Sequence, residues 1–582
     1  MELSMRALLA LRAQAASSAI PQDELRRVAR TAIFTIDKGN RSLGMELAIR
    51  TVNGQLVDPL ITSTFKLNGL HDEANSRIDK NMETTPSRPI SQTPTARTYT
   101  VVGKVTNFVC RVTVTSELSL ALHDSSGNKL TESVLLRWPP PHLAAVDLHM
   151  RPTFVFTDLS SDITKKIFLV CHVVRLGTME PQNIDHRLII FRRSSMCSTG
   201  SANLVGAIRR PCGVAVTEVT LSPGHDNKEI QLPFYPCEKE NIDSLLKKVI
   251  ANRDPKDQKQ TQGLWLDIQL VEGDMKQIQQ ENAHLVARPT AVARKMGFPE
   301  VILPGDARND LYVTLVGGAF SRGGKSSDRN IELVARVVDK NGKIIPGVIS
   351  RGAGMPLVNE YTSIVYYHDD RPRWQEVFKV CLNIEEFKED HIVFFLRHRS
   401  SNEAKDRAEK NFALAYLPLM QREGTTTPDK AHNLAVYKIE YKKTSSTATT
   451  EEIETEASAA CLGLWSHRDK LPAGADKGLT RGPLALIPRD TLTVETKLCS
   501  TKLTQREEIL GVLKWSTHHS EGTLRAALRR LLRVPNDELV KFLQDILDAL
   551  FCILTQVRYN LIVYVIGSDI AYAAVVICAK LH

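Results

Sequence analysis

Ring side chains are scarce: Phe, Trp and Tyr together make up 6% of the 582 residues. None of the basic clusters carries the aromatics on which single-stranded nucleic acid stacks, so no nucleic-acid partner is expected. Cysteine offers no framework either. The 10 cysteines are scattered, with no CxxC pair and no histidine at zinc-ligand spacing, which suits a reducing cytosol and points to no metal. The one long apolar run, Leu561–Ala579, is interrupted by Asp569, which would cost about 3 kcal/mol at a bilayer centre. It is expected to be a buried helix instead of a membrane span. Residues 1–20 hold Arg6 and Arg12 among leucines and alanines, but no apolar core with a cleavage site follows, so a helix is expected there and not a targeting peptide.

What is abundant is positive charge, +9 overall, which favours acidic partners, with anionic lipid ranked above nucleic acid. The length allows three or four domains. Residues 1–83 read as helical, with Pro21, Asp23 and Glu24 at a helix start and Leu25, Val28 and Ala32 at helical spacing. Residues 84–98, rich in Thr, Ser and Pro, read as a linker. Short β-type runs dominate 99–303, including Phe108–Val114, Leu118–His123, Phe154–Thr157 and Ile167–Val174, with helical insertion near Ile242–Ile250. Residues 308–500 hold more: Leu311–Val316, Ile331–Val338, Ser363–Tyr367, Val377–Leu382, Ile392–Leu396, Phe412–Leu417 and Leu434–Tyr441, the strand complement of a β-sandwich. Ser125–Asn128 and Asn341-Gly342 read as hairpin turns. In Ile331–Val338 the alternation puts Glu332 and Arg336 on the outer face, and Thr444–Ser458 reads as a disordered insertion. Residues 501–582 turn helical, with Leu524, Leu528, Leu531 and Leu532 in one helix and Leu539, Leu543, Ile546, Leu547, Leu550 and Leu554 in the next, capped near Asn536 or Asp537.

Five runs are specific enough to carry a resemblance: PGDARNDLYVTLVGG (Pro304–Gly318), EYTSIVYY (Glu360–Tyr367), RPRWQEVFKV (Arg371–Val380), FFLRHRSSNEAKDRAEKNFALAY (Phe394–Tyr416) and CSTKLTQ (Cys499–Gln505). They resemble the C2-like first homology region of the DOCK (dedicator of cytokinesis) guanine nucleotide exchange factors. Runs such as IPQDELRR (Ile20–Arg27), FVFTDL (Phe154–Leu159), RRPCGVAV (Arg209–Val216), TAVARKMGFPE (Thr290–Glu300) and LVKFLQDILDALF (Leu539–Phe551) extend the likeness in family order. The resemblance implies a multidomain, mainly β chain with some α. Its centre would be an antiparallel C2-type β-sandwich, preceded by a helical segment and a second β-rich domain and followed by the start of an armadillo/HEAT-like α-solenoid with an atypical or truncated end. It further implies a regulatory, membrane-recruiting part of an exchange factor for Rac-like GTPases, with the SH3 domain before Ile20 and the downstream catalytic region missing, so no exchange activity of its own is expected. An ELMO-type adaptor is a partner that the missing SH3 domain weakens, and the location implied is cytoplasmic with recruitment to the plasma membrane.

C2 sandwiches bind ligands with loops at one end, and calcium-dependent members line them with aspartates. Here the first loop offers Arg322, Lys325 and Arg329, and the third Arg397, His398, Arg399, Lys405 and Arg407. Several cations together suit a multiply phosphorylated inositol ring, and the resemblance names phosphatidylinositol trisphosphate. Glu403, Asp406 and Glu409 dilute the third loop, which shifts weight onto Arg397, His398 and Arg399. Asp369 and Asp370 are too few for a calcium cage, so neither metal nor cofactor is expected. A competing reading is a complete exchange factor. Another is a P-loop at Gly318–Ser326, but Ala319 stands where that motif needs glycine and a strand-like segment follows.

Overall fold

The computed structural model describes residues 2–15, scattered positions between 27 and 76, and most of 98–557. The longer stretches outside the description are 16–26, 40–48, 77–97, 140–151, 161–165, 180–206, 220–227, 252–261, 322–329, 401–409, 442–448 and 558–582. The expected linker, the apolar tail and the helix start at Pro21 fall among them. The chain divides into two compact units, one gathering Met1–Ala96, Leu303–Asn309 and Leu382–Glu385, the other Arg97–Ile302, Asp310–Cys381 and Glu386–His582. In the first, α1 spans Glu2–Ala15, Val28, Val57 and Ala74 are buried, and Val57 N–H donates to the Ile49 carbonyl at 3.0 Å.

The second unit begins with a nine-stranded sheet. Its strands are β1 (Tyr99–Val109), β2 (Ser116–His123), β3 (Val134–Trp138), β4 (Thr153–Leu159), β5 (Ile167–Gly177), β6 (Ile208–Val219), β7 (Lys228–Pro236), β8 (Gly263–Glu272) and β9 (Thr290–Arg294), in the order β3-β2-β5-β6-β7-β8-β1-β4-β9. All registered pairs are antiparallel except β4 with β9. The ends of the path meet, because Glu132 N–H donates to the Arg294 carbonyl at 2.9 Å and Met296 N–H to the Leu130 carbonyl at 2.8 Å. Closure removes the exposed strand edges that would otherwise template aggregation. Inside lie Val105, Leu118, Leu120, Phe154, Phe156, Val173, Leu264 and Leu266. The helices α2 (Ile242–Ile250) and α3 (Met275–Glu281) sit between strands, α2 where helical insertion was expected.

A ten-stranded sheet follows: β10 (Asn309–Ala319), β11 (Ile331–Val338), β12 (Ile349–Ser350), β13 (Glu360–Thr362), β14 (Arg373–Val380), β15 (His391–His398), β16 (Asn411–Pro418), β17 (Ala431–Ile439), β18 (Thr480–Arg481) and β19 (Leu484–Ser500). Its order is β12-β14-β10-β19-β17-β16-β15-β11-β13, with β18 paired to β19, and this path also curls round: Val358 N–H donates to the Ile349 carbonyl at 2.8 Å just ahead of β13. Both hairpin turns stand as expected. Gly127 (φ 83°) and Gly342 (φ 79°) take the left-handed backbone glycine permits, and Asp124 and Asp339 accept from turn amides behind them.

Six expectations need correction. Within Thr444–Ser458, expected to be a disordered insertion, the described part from Thr449 is ordered: Thr450–Ala460 forms α4, with a capping box between Thr449 and Glu452. Its Ile453 and Ala457, with Cys461 behind them, pack on Val338, Phe395 and Tyr437, so a composition that looked unable to order itself buries a helix face. Glu332 does not face outward, because β11 is buried on both faces and Glu332 is 0% exposed. The strand placed at Ser363–Tyr367 is instead Glu360–Thr362, and β1 ends at Val109. Finally, the helices α5 (Glu507–Leu513), α6 (Glu521–Leu531), α7 (Asn536–Lys541) and α8 (Leu543–Val557) share an apolar core, but the second expected helix breaks at Phe542. Asn536 is not a cap there: the N-cap is Pro535, with no side-chain bond.

Candidate functional site

β10 ends, β11 and β14 begin, and β15 ends at one end of the ten-stranded sheet, so the described residues 320–321, 330, 363–372, 398–400 and 410 of three connecting segments gather there. Asn330, 2% exposed, ties them together. Its backbone N–H donates to His398 Nδ1 at 3.2 Å, its carbonyl accepts from Arg399 N–H at 2.9 Å, its side-chain amide donates to the Arg399 carbonyl at 2.9 Å, and its Oδ1 accepts from His368 N–H at 2.8 Å. One short amide side chain thus fixes the bases of three segments. That is what asparagine, with both donor and acceptor on a stiff stem, can do.

Glu332, two residues into the strand, decides what the arginines can do. Arg399 Nη1 donates to both its carboxylate oxygens, at 3.0 and 2.9 Å, and Arg397 Nε donates to Oε2. The Arg399 side chain keeps 3% of its surface exposed and that of Arg397 16%. A buried carboxylate is tolerated only when paired and hydrogen-bonded, so Arg399 works inward, neutralising Glu332, while Arg397 reaches the surface. His398 holds the Asn330 amide. Arg322, Lys325, Arg329, Lys405 and Arg407 lie outside the described residues.

Sequence reading missed several participants. Arg371 and Arg373, both exposed, stand on the middle segment. They sat in the quoted run RPRWQEVFKV but were read only as part of a likeness; two arginines at a strand's entrance were the available signal. Tyr367, 43% exposed, stacks on His368 with ring centroids 4.0 Å apart. His368 has φ 47°, unusual for a side-chain-bearing residue and of the kind found where a loop is held to a purpose. Asp369 Oδ1 accepts from Arg371 N–H at 2.9 Å, so that acid braces its own turn. Among the described residues no group of three or more His, Cys, Asp or Glu is placed to hold a metal ion.

Comparison with known proteins fits this geometry. The family model described as the C2 domain in Dock180 and Zizimin proteins matches residues 304–508, and the one described as the DOCK N-terminus matches residues 1–299. The mouse dedicator of cytokinesis protein 3 is 32% identical over 594 residues, covering 96% of this chain and 27% of its own length. The human dedicator of cytokinesis protein 4 is 31% identical over 562 residues, covering 95% and 26%. The chain therefore spans about a quarter of the relatives it matches. A solved C2 domain of plant extended synaptotagmin 1 overlaps 34% of the chain at 9% identity with a TM-score of 0.18, too low to argue from. With the two family matches lying side by side in family order, the N-terminal one alone covering more than half of its residues, the chain belongs to the DOCK family of guanine nucleotide exchange factors, and the end where Asn330 joins three segments is part of its C2 domain.

Proposed function

We propose that this end of the C2 domain docks on membranes carrying multiply phosphorylated inositol headgroups, and so brings the regulatory, N-terminal part of an exchange factor for Rac-like GTPases to the cytoplasmic face of the plasma membrane. The observation that carries the proposal is that exposed Arg371 and Arg373, partly open Arg397 and exposed Tyr367 all stand at the same end of the sheet, on segments braced by Asn330. Guanidinium forks match phosphate oxygens in pairs, and a tyrosine suits the headgroup layer, apolar in body and polar at its tip. The loops 322–329 and 401–409 would add Arg322, Lys325, Arg329 and Lys405. Glu332 is engaged by arginine and Asp369 by a turn amide, which leaves no carboxylate cage among the described residues, and binding proceeds without calcium.

The test uses the whole chain and vesicles containing trisphosphorylated phosphoinositide, sedimented with and without a calcium chelator. Arg322→Gln/Lys325→Gln/Arg371→Gln/Arg373→Gln removes four cations, each worth about 1 kcal/mol near an anionic surface, and is expected to lower affinity about a thousandfold with no effect of the chelator. Undiminished binding by that variant would sink the proposal.

A further inference from the structure

Between the nine-stranded and ten-stranded sheets lies a cavity of about 320 Å³, whose wall takes in Ile364, Trp374 and Gln375 beside the middle loop segment. His123, Lys129, His172 and Arg209 line it from one side, Arg351 and Glu376 from the other. Two carboxylates beside its inner wall are already committed. Glu117 accepts from Arg209 at 2.8 Å and from Arg351 at 2.6 Å, and Glu376 accepts from Arg209 at 2.7 Å, from the Tyr361 hydroxyl at 3.0 Å and from Ile364 N–H at 2.7 Å. Donors are left over. Lys129 Nζ makes one bond, to Ser133 Oγ at 2.6 Å, out of the three its ammonium can donate. Arg209 Nε and His172 Nε2 are buried with no partner. His123 Nδ1 donates to the Gly127 carbonyl at 3.0 Å, and its ring stands 6.2 Å from that of His172.

Buried donors without acceptors destabilise a fold, and several converging on one space form a site built for something rich in acceptors and carrying negative charge. Burial pulls Lys129 down to about 8 although Glu132 and Glu376 act the other way, and burial, with His123 and Lys129 beside it, pulls His172 down to about 3. Gln375, also in the wall, holds φ at 51°, a strained backbone for that residue type. The volume lies at the lower end of the range for small-molecule sites, which is about 300–1,000 Å³. At the rim the charges are mixed: Lys247 is paired with Asp243 at 2.9 Å, and Glu495 and Lys497 are both exposed, so the pull on an anion comes from the donors inside.

We infer that this cavity is a second site, lined by other cations than the exposed ones of the loop end, for a small soluble phosphate ester carrying more than one negative charge. Such a ligand would accept from Lys129, Arg209 and, with the ring in its Nε2–H tautomer, His172, and would pin the two sheets to each other.

Thermal unfolding of the full chain at constant ionic strength tests it, with inositol trisphosphate, inorganic phosphate or chloride alone as soluble arms and phosphoinositide vesicles as the membrane arm. The wild type is expected to show a saturable rise in Tm with the soluble ester. Lys129→Gln should weaken that response by about tenfold or more, as loss of a charged hydrogen bond does, while Arg371→Gln/Arg373→Gln at the loop end keeps it. No rise in the wild type, an equal rise in Lys129→Gln, or a response confined to vesicles would each overturn the inference. Should Lys129→Gln fail to fold, His172→Gln and amide exchange of the wild type replace it: exchange in β2, β5 and β14 should slow with the ester, and unchanged exchange would overturn the inference equally.

Discussion

Arg397 and Arg399 lie two residues apart on one strand end, share a carboxylate and differ in purpose. Removing Arg399 strips Glu332 of the guanidinium that meets both its oxygens inside the protein. Breaking a buried pair from one side costs about 3–5 kcal/mol, so Arg399→Ala should lower the denaturation midpoint steeply even where no membrane is present. Arg397→Ala should cost less stability and show itself in vesicle binding; equal stability losses would refute the division. A second residue sets a pH dependence. Burial, reinforced by Glu386, Asp339 and Glu389, pushes the Asp390 carboxyl up to about 7 from an ordinary 3.8, and its Oδ2 has no partner. A raised folded-state value means that this group's contribution is fully present below about pH 4 and is lost as pH climbs through 7. Asp390→Asn should therefore gain stability over the wild type at pH 8 and little at pH 4, which urea titrations at the two pH values would reveal; a gain independent of pH would contradict the assignment.

At the scale of elements, α4 and the hairpin beneath it depend on each other. A Cβ at Gly342 would lie 2.1 Å from the Thr455 carbonyl oxygen, at φ 79°. Gly342→Ala should then cost at least the 1–3 kcal/mol or so of a side chain forced into the left-handed region, measurable by chemical denaturation; a neutral outcome would mean that α4 is not docked there. The same helix shows why part of the fold was illegible in sequence. Strands with regular alternation, and turns marked Asp-Ser-Ser-Gly and Asp-Lys-Asn-Gly, could be read because their signals are local. The Ser, Thr and Glu of α4 look solvated, and its apolar stripe of Ile453, Ala457 and Cys461 is short enough to pass unnoticed beside them. Glu332 was misread for a related reason: alternation reports only which side a residue points to, and the arginines that bury that side arrive about 65 residues later in the chain. Of the candidate site, the cations were legible as charges, whereas the difference between an inward and an outward arginine was not.

For the whole molecule, the resemblance assigns exchange chemistry to a region downstream of the C2 domain. Residues 1–582 alone are accordingly expected to leave fluorescent-nucleotide release from Rac at its intrinsic rate, and acceleration over a buffer control would show an exchange surface in this part of the family. What this chain is expected to contribute is placement. The most direct measurement is sedimentation of the full chain with vesicles containing trisphosphorylated phosphoinositide, set against vesicles of phosphatidylserine matched in surface charge. A headgroup read by paired guanidinium contacts should be bound more tightly than its charge alone provides, by about tenfold for each 1.4 kcal/mol of fitted contact. Tighter binding to the phosphoinositide vesicles at equal charge is the predicted result; equal binding to both would reduce the loop end to a nonspecific basic surface and contradict the account.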